Sequence, residues 1–289
     1  MDAHGDGAAR SRTVITLALC SLLAIYAIAR FLQVFPGRVP MLAVVALHVI
    51  PPALFALVHG AVRYSLRGII VFFAICLVVG GAIENIGVLT GFPFGRYYFT
   101  AVMGPKILFV PVLLALAYVG MAYLSWTLAT LILRGCASGA LAGSLAVTVP
   151  LLASFIMVAW DLSMDPVWST VLHAWIWLDG GPYFGVPISN FVGWFFTVYL
   201  IFQLFALYGR RPSTTVSPLP RDYWNLAVIF YAVSAAGNLL LLLPRRGPSV
   251  ISDPTGAQWH FAGIIAATAL VSIFVMGAFV LLAWARLPD

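Results

Sequence analysis

The sequence predicts an all-α integral membrane protein with about eight transmembrane helices, or seven and a re-entrant segment, and three observations carry that expectation. Apolar residues make up 63% of the 289 and charged residues only 8%, against roughly a quarter charged in soluble domains. A soluble core of this length could not hide so much apolar surface, whereas a bilayer accepts it. Several stretches reach the roughly 20 apolar residues that cross the hydrocarbon layer.

The candidate spans are 13–34, 40–62, 68–91, 107–133, 141–163, 187–208, 223–243 and 259–285, all within one polytopic domain, 1–289. Residues 1–12 read as a polar tail, with Arg10 and Arg12 leading into the first apolar run. That run is long for a cleaved signal peptide, so a retained first helix is expected. Proline and glycine flank the sixth span, which leaves the re-entrant alternative open. Connections are short, and no soluble domain can be cut out.

The net charge of +6 comes largely from arginines between the spans. With no basic domain, it suits anionic headgroups and topology setting, and no nucleic-acid partner is expected. On the side of the N-terminus fall nine arginines: Arg10, Arg12, Arg63, Arg67, Arg134, Arg210, Arg211, Arg221 and Arg286. The opposite side holds six basic residues, Arg30, Arg38, Arg96, Lys106, Arg245 and Arg246. The excess favours a cytoplasmic N-terminus. Either way, the third and fifth spans end on the same face of the membrane.

Cys20, Cys76 and Cys136 are far apart and form no CxxC pair, so neither a disulfide framework nor a thiolate metal site is indicated. His48 and His59 are eleven apart and share a helix face, but no histidine cluster accompanies them. His173 and His260 read as interfacial. Lys106, the only lysine, sits at a span boundary, where it could not form a mid-membrane Schiff base.

Two segments stand out and read as a diverged repeat over 68–133 and 141–208. The first runs from Glu84 through Gly91-Phe92-Pro93-Phe94-Gly95 to Val110-Pro111; the second runs from Asp161 through Gly181-Pro182-Tyr183-Phe184-Gly185 to Val186-Pro187. Glu84 precedes Pro111 by 27 positions and Asp161 precedes Pro187 by 26. Each half offers a helix ending near a carboxylate, a Gly/Pro/aromatic loop and a Val-Pro helix start, where the missing proline N–H costs nothing.

Glu84 is the only glutamate, and it lies about two turns inside the third span. A charge there costs several kcal/mol unless it is paired. The group therefore either acts as a neutral proton donor or is held structurally, by a neighbouring helix or by Arg96 or Arg63. Asp161 and Asp165, four apart, share one face and cannot both ionise cheaply. Pro166 suggests that the span ends at Asp165, which then either joins the chemistry or caps a short helix after it. Phe92, Phe94, Tyr97, Tyr98, Trp160, Trp168, Trp175, Trp177, Tyr183 and Phe184 crowd the same face. Most suit an interfacial belt, but those beside the carboxylates could stabilise a cation. Ser189 and Asn190 open the sixth span and either cap it or hold a water.

The segment Glu84-Asn85-Ile86-Gly87-Val88-Leu89-Thr90-Gly91-Phe92-Pro93-Phe94-Gly95-Arg96-Tyr97-Tyr98 resembles the signature of the membrane-bound carotenoid biosynthesis hydratases. That family includes γ-carotene and bisanhydrobacterioruberin hydratases. Met164-Asp165-Pro166-Val167 and Tyr183-Phe184-Gly185-Val186-Pro187-Ile188-Ser189-Asn190-Phe191-Val192-Gly193-Trp194 are similar to the same family, and the likeness covers roughly 40–210. The resemblance implies a cofactor-independent hydro-lyase in a bacterial or archaeal cell membrane. It would add water to the terminal double bond of an acyclic carotenoid taken from the bilayer. Such a reaction needs an acid, a stabilised cation and a positioned water, and no nicotinamide, flavin or metal. The chemistry that this reaction requires, carried onto the matching positions, makes Glu84 the proton donor, with Asp161 or Asp165 activating water. Asn85, Phe94, Tyr97, Trp160, Tyr183, Phe184 and Asn190 would contact the substrate. Other readings are a prenyltransferase using Asp161 and Asp165 as a Mg²⁺-holding pair, a cyclase or isomerase working through the same cation, and a lipid or carotenoid transporter. The oligomeric state is not legible.

Overall fold

The computed structural model describes residues 3–35, 37–136, 141–209, 219–243 and 248–287. Arg210, Arg211, Arg245 and Arg246 of the charge count lie outside them, as does the side chain of Arg10. The helices are α1 (Ala3–Leu32), α2 (Met41–Ile75), α3 (Gly81–Thr90), α4 (Val112–Arg134), α5 (Leu145–Pro166), α6 (Ile188–Tyr208), α7 (Arg221–Leu239), α8 (Phe261–Leu270) and α9 (Gly277–Trp284). π-helical turns join α2 to α3 and α8 to α9, so each of those pairs is continuous. Among the described residues, strands form three short ribbons: β1 (Tyr97–Phe99) with β4 (Trp175–Trp177), β2 (Lys106–Ile107) with β3 (Val110–Pro111), and β5 (Val250–Ser252) with β6 (Gln258–His260). α1 begins at Ala3, so most of the polar stretch before the first span is itself helical.

Seven helical runs among the described residues are long and apolar enough to cross a membrane. Large apolar side chains on their outer faces, such as Val78 (69% exposed), Phe196 (63%) and Phe274 (69%), have no protein to cover them. That surface suits lipid and not water. The protein is an all-α integral membrane protein.

One of the seven runs, Met41–Thr90, has 50 residues. Straight, it would measure about 75 Å, more than twice the hydrocarbon thickness. It does not run straight. Ser65 has φ 62° and ψ 165°, outside helical geometry. Before that break, Pro52 lies against Gly120 and Tyr64 accepts a hydrogen bond from Trp126, so the chain advances along α4 in the same direction. Beyond it, Phe72 meets Tyr123 and Glu84 meets Tyr118, in reverse order along α4. The run is a helical hairpin of two spans, which brings the crossings to eight. α6, the span flanked by proline and glycine, has 21 residues; at about 31 Å it crosses fully.

The expected stop at Pro166 is not observed. α5 continues through it into a π-helical turn, Val167–Val171, closed by Leu172 N–H donating to Val167 C=O at 2.9 Å. A wide turn at a proline is a familiar way to absorb the missing N–H.

α4 is the central helix, buried almost without interruption from Ala117 to Leu131. Its Thr127 and Thr130 hydroxyls bond carbonyls one turn back, at 2.8 and 2.7 Å, so they bury no unpaired polar group. The first half of α2 approaches it so closely that a Cβ on Gly120 would lie 2.8 Å from the carbonyl carbon of Pro52. Small residues permit such backbone contact between membrane helices.

On one face, the β1–β4 pairing joins the loop after α3 to the loop after α5, with Tyr97 opposite Trp177 and Phe99 opposite Trp175. Arg96 and Asp179 form an ion pair on its exposed side. The β5–β6 hairpin lies beside it, with Trp259 against Phe184.

Burial alone would push the Asp253 carboxyl up. Hydrogen bonds from the Thr255 hydroxyl and N–H, the Ala257 N–H and Trp259 Nε1 instead hold it below the ordinary carboxylate range.

Two outcomes are expected. Gly120→Val should lower the thermal unfolding temperature in detergent, by about 1–3 kcal/mol of overpacking. Because the Asp253 pKa is depressed on folding, its contribution is present above the unfolded carboxylate value, about 3.9, and is lost as pH falls through the lower folded value. Amides of residues 250–260 should therefore lose hydrogen-exchange protection on acidification, after correction for intrinsic rates. Asp253→Asn should flatten that dependence.

Candidate active site

Three carboxyl groups, Glu84, Asp161 and Asp165, line one internal cavity beneath the β1–β4 ribbon. Each is buried, with at most 7% of its surface exposed. Helix periodicity places them: Glu84 lies on α3, while Asp161 and Asp165 lie one turn apart on α5. The two loops then fold over the helix ends and supply the roof.

Glu84 is held by two phenols. Tyr118 of α4 donates to one carboxyl oxygen at 2.6 Å, and Tyr97 of β1 donates to the other. Burial first, and then the adjacent Glu84 carboxyl, keep the Tyr97 phenol well above its usual pKa, so it stays a donor. Asp165 accepts from Trp175 Nε1 at 2.9 Å and from Asn190 Nδ2 at 2.6 Å. The same Asn190 amide reaches Asp161, but at 3.3 Å. Asn190 thus bridges the pair from the first turn of α6, and Asp161 is the least supported of the three.

The remaining wall is aromatic and apolar, with Phe94, Phe99, Trp177 and Trp194 prominent. The Phe94 ring fits between Gly87 and Gly193, where added Cβ atoms would come within 2.6 and 2.8 Å of it. Trp194 packs on Phe94 at 5.3 Å and on Tyr118 at 4.4 Å between ring centroids. Among the described residues, no lysine or arginine lines the cavity. Its volume, about 20 Å³ of room for a water's centre, holds roughly one water. Trp177 Nε1 is buried beside the Asp165 carboxyl and makes no hydrogen bond of ordinary geometry among the described residues. A smaller space of about 10 Å³ adjoins, between Trp160, Val158, Asp161 and Trp194.

The expected site residues divide accordingly. Glu84, Asp161, Asp165, Phe94, Tyr97 and Asn190 meet at the main cavity, and Trp160 lines the smaller one. Asn85, Tyr183 and Phe184 lie elsewhere. Asn85 bonds Gly81 C=O at 2.7 Å and Phe109 N–H at 3.1 Å, so it anchors the loop before α4. Tyr183 donates to Leu162 C=O at 3.1 Å, and Phe184 packs on Trp259. Arg63 and Arg96, considered as partners of Glu84, pair with other groups: Arg63 stacks on Trp224 and Arg96 binds Asp179. Asp165 caps no following helix. His59 bonds Tyr123 at 2.6 Å and Tyr223 C=O at 2.9 Å, and among the described residues no three His, Cys, Asp or Glu side chains are arranged to hold a metal ion.

Tyr118 and Trp194 were not expected at the site, and Trp175 and Trp177 were expected only as part of the aromatic face around it. Tyr118 is seven residues after Pro111 and Trp194 is seven after Pro187. Extending the internal comparison two turns into each Val-Pro helix would have found both.

The sequence profile of the carotenoid biosynthesis proteins matches residues 37–246, which include every cavity-lining residue named above. No curated protein and no solved structure matches the chain.

Tyr118→Phe and Tyr97→Phe each leave one Glu84 oxygen without its donor. Each should cost about 1–3 kcal/mol, measured as a fall in thermal unfolding temperature. The double variant should lose more than either single one.

Proposed function

The chain belongs to the carotenoid biosynthesis protein family, and from that premise we propose that it hydrates the terminal double bond of an acyclic carotenoid end. The observation that carries this reading is the cavity itself: three carboxyl groups around room for one water, walled by aromatic rings. An apolar end group needs no polar channel to reach it, because the substrate dissolves in the same bilayer as the enzyme.

Three carboxyls with no cationic partner in so dry a place cannot all be charged. The cluster therefore carries protons for delivery. Donors stabilise a carboxylate, and Glu84 and Asp165 each receive two. Asp161 receives one longer bond, and it borders both the water-sized cavity and the adjoining space. We therefore assign the acid to Asp161, in place of the Glu84 expected from the motif.

Asp161 gives its proton to C2 of the terminal double bond, and the electron pair of that bond becomes the new C–H bond. A tertiary cation forms at C1. Trp194, Tyr118 and Phe94 present aromatic faces to it, and the Glu84 carboxylate stabilises it at longer range. The water held by Asp165 adds through oxygen to C1, and its surplus proton passes to the carboxylate pair, restoring the acid. The sum is one carotene plus one water giving one tertiary alcohol.

The closed cavity is smaller than an isoprenoid end, so Trp160 and Trp194 must part to admit it. A prenyltransferase reading fares worse here, since a diphosphate would meet no basic side chain among the described residues of the lining.

Expression in a host that accumulates an acyclic carotene should yield pigment heavier by one water. Asp161→Asn should lower product by about 10²–10⁴-fold, as for loss of a general acid, while membrane insertion is retained. Glu84→Gln should reduce it less. A fully active Asp161→Asn beside a dead Glu84→Gln would exchange the two roles, and an unshifted pigment mass with the unsubstituted protein would refute hydration.

A further inference from the structure

A second, larger cavity lies away from the carboxyl cluster. It offers about 90 Å³ to a water's centre, against 20 Å³ in the candidate active site. Its walls come from the end of α1, the start of α2, the π-helical turn after α5 and the start of α8, through Leu32, Val44, Trp168, Val171 and Ile265 among others. Those side chains are apolar.

Two polar side chains interrupt them: Gln33, whose Nε2 donates to Gly237 C=O at 2.6 Å, and His48. His48 lines the cavity and is only 8% exposed. Its Nδ1 lies 2.8 Å from Val44 C=O, an acceptor without a proton, so Nδ1 carries the N–H and donates. In the neutral ring Nε2 then holds a lone pair. Nε2 is buried and has no hydrogen-bond partner among the described residues. The ring is held in place by edge contacts with Tyr26 and Trp168, at 6.3 and 5.9 Å between centroids.

We propose that this cavity is a binding site for an isoprenoid alcohol dissolved in the membrane, with the hydroxyl donating to His48 Nε2. The apolar walls select a hydrocarbon chain, and the fixed acceptor of His48 selects an O–H donor at its end. A carotene hydrocarbon or a doubly ionised phosphate ester supplies no such donor. The isoprenoid class rests on the family, not on the hydration chemistry, so the site and the proposed reaction can fail separately.

The test is equilibrium binding of tritiated geranylgeraniol to the full chain in phosphatidylcholine nanodiscs. Geranylgeranyl methyl ether, which keeps the oxygen and lacks the donor, serves as the comparison. The alcohol should bind saturably and the ether about five- to tenfold more weakly, as one hydrogen bond provides. His48→Phe should bring the alcohol down to the level of the ether. Val171→Trp, which fills the cavity without touching His48 chemistry, should remove the binding of both. Equal affinity for alcohol and ether, or alcohol binding untouched by Val171→Trp, overturns the site. If His48→Phe does not fold, the alcohol–ether difference and the Val171→Trp result still decide.

Discussion

The short antiparallel pairing of β1 with β4 is the interaction on which the rest of this architecture depends. Loops at a membrane surface have little to hold them, yet these two carry Tyr97, Trp175 and Trp177, and all three line the cavity. Their backbone N–H and C=O groups satisfy one another, which lets irregular chain lie over the ends of α3 and α5 without orphaned polar atoms. Once the ribbon is in register, Tyr97 falls on Glu84 and Trp175 falls on Asp165. The carboxyl groups can then be buried because their donors arrive with the roof.

That arrangement explains why so much polarity survives in so apolar a protein. Within the bilayer each carboxyl must find its donors inside the bundle, and each donor comes from a different element: α4 for Tyr118, α6 for Asn190, the loops for the rest. The cluster therefore reports on the whole bundle. A shift in any of four elements leaves a carboxyl short of a partner, so geometry at the site and integrity of the fold are closely coupled.

Much of the fold was legible in the sequence because the bilayer simplifies the problem. Apolar runs of spanning length identify helices, and the arginines at 63 and 67 mark the turn within the 50-residue helical run. The convergence of Glu84 with Asp161 and Asp165 was legible too, since spacing and topology place them at one face. Three things were not. Pro166 announces a stop but is absorbed by a wide turn, because the segment beyond it packs well enough to continue. Asn85 sits in the motif beside Glu84, yet helix geometry turns successive residues through about 100°, so only one of the two can face the cavity. Tyr118 and Trp194 lie inside apolar spans, where a lone aromatic residue looks like any other core side chain.

The hairpin at Ser65 has a consequence for how the protein enters the membrane. The two spans it joins have almost no polar chain between them, and Arg63 and Arg67 sit at the bend itself. Neither span has a hydrophilic loop long enough to wait in water while the other inserts. The two spans are therefore expected to enter lipid together, as one closed pair with both arginines at its bend. The helix bearing Glu84 thus reaches its place already folded against its predecessor, before α4 is available to receive them.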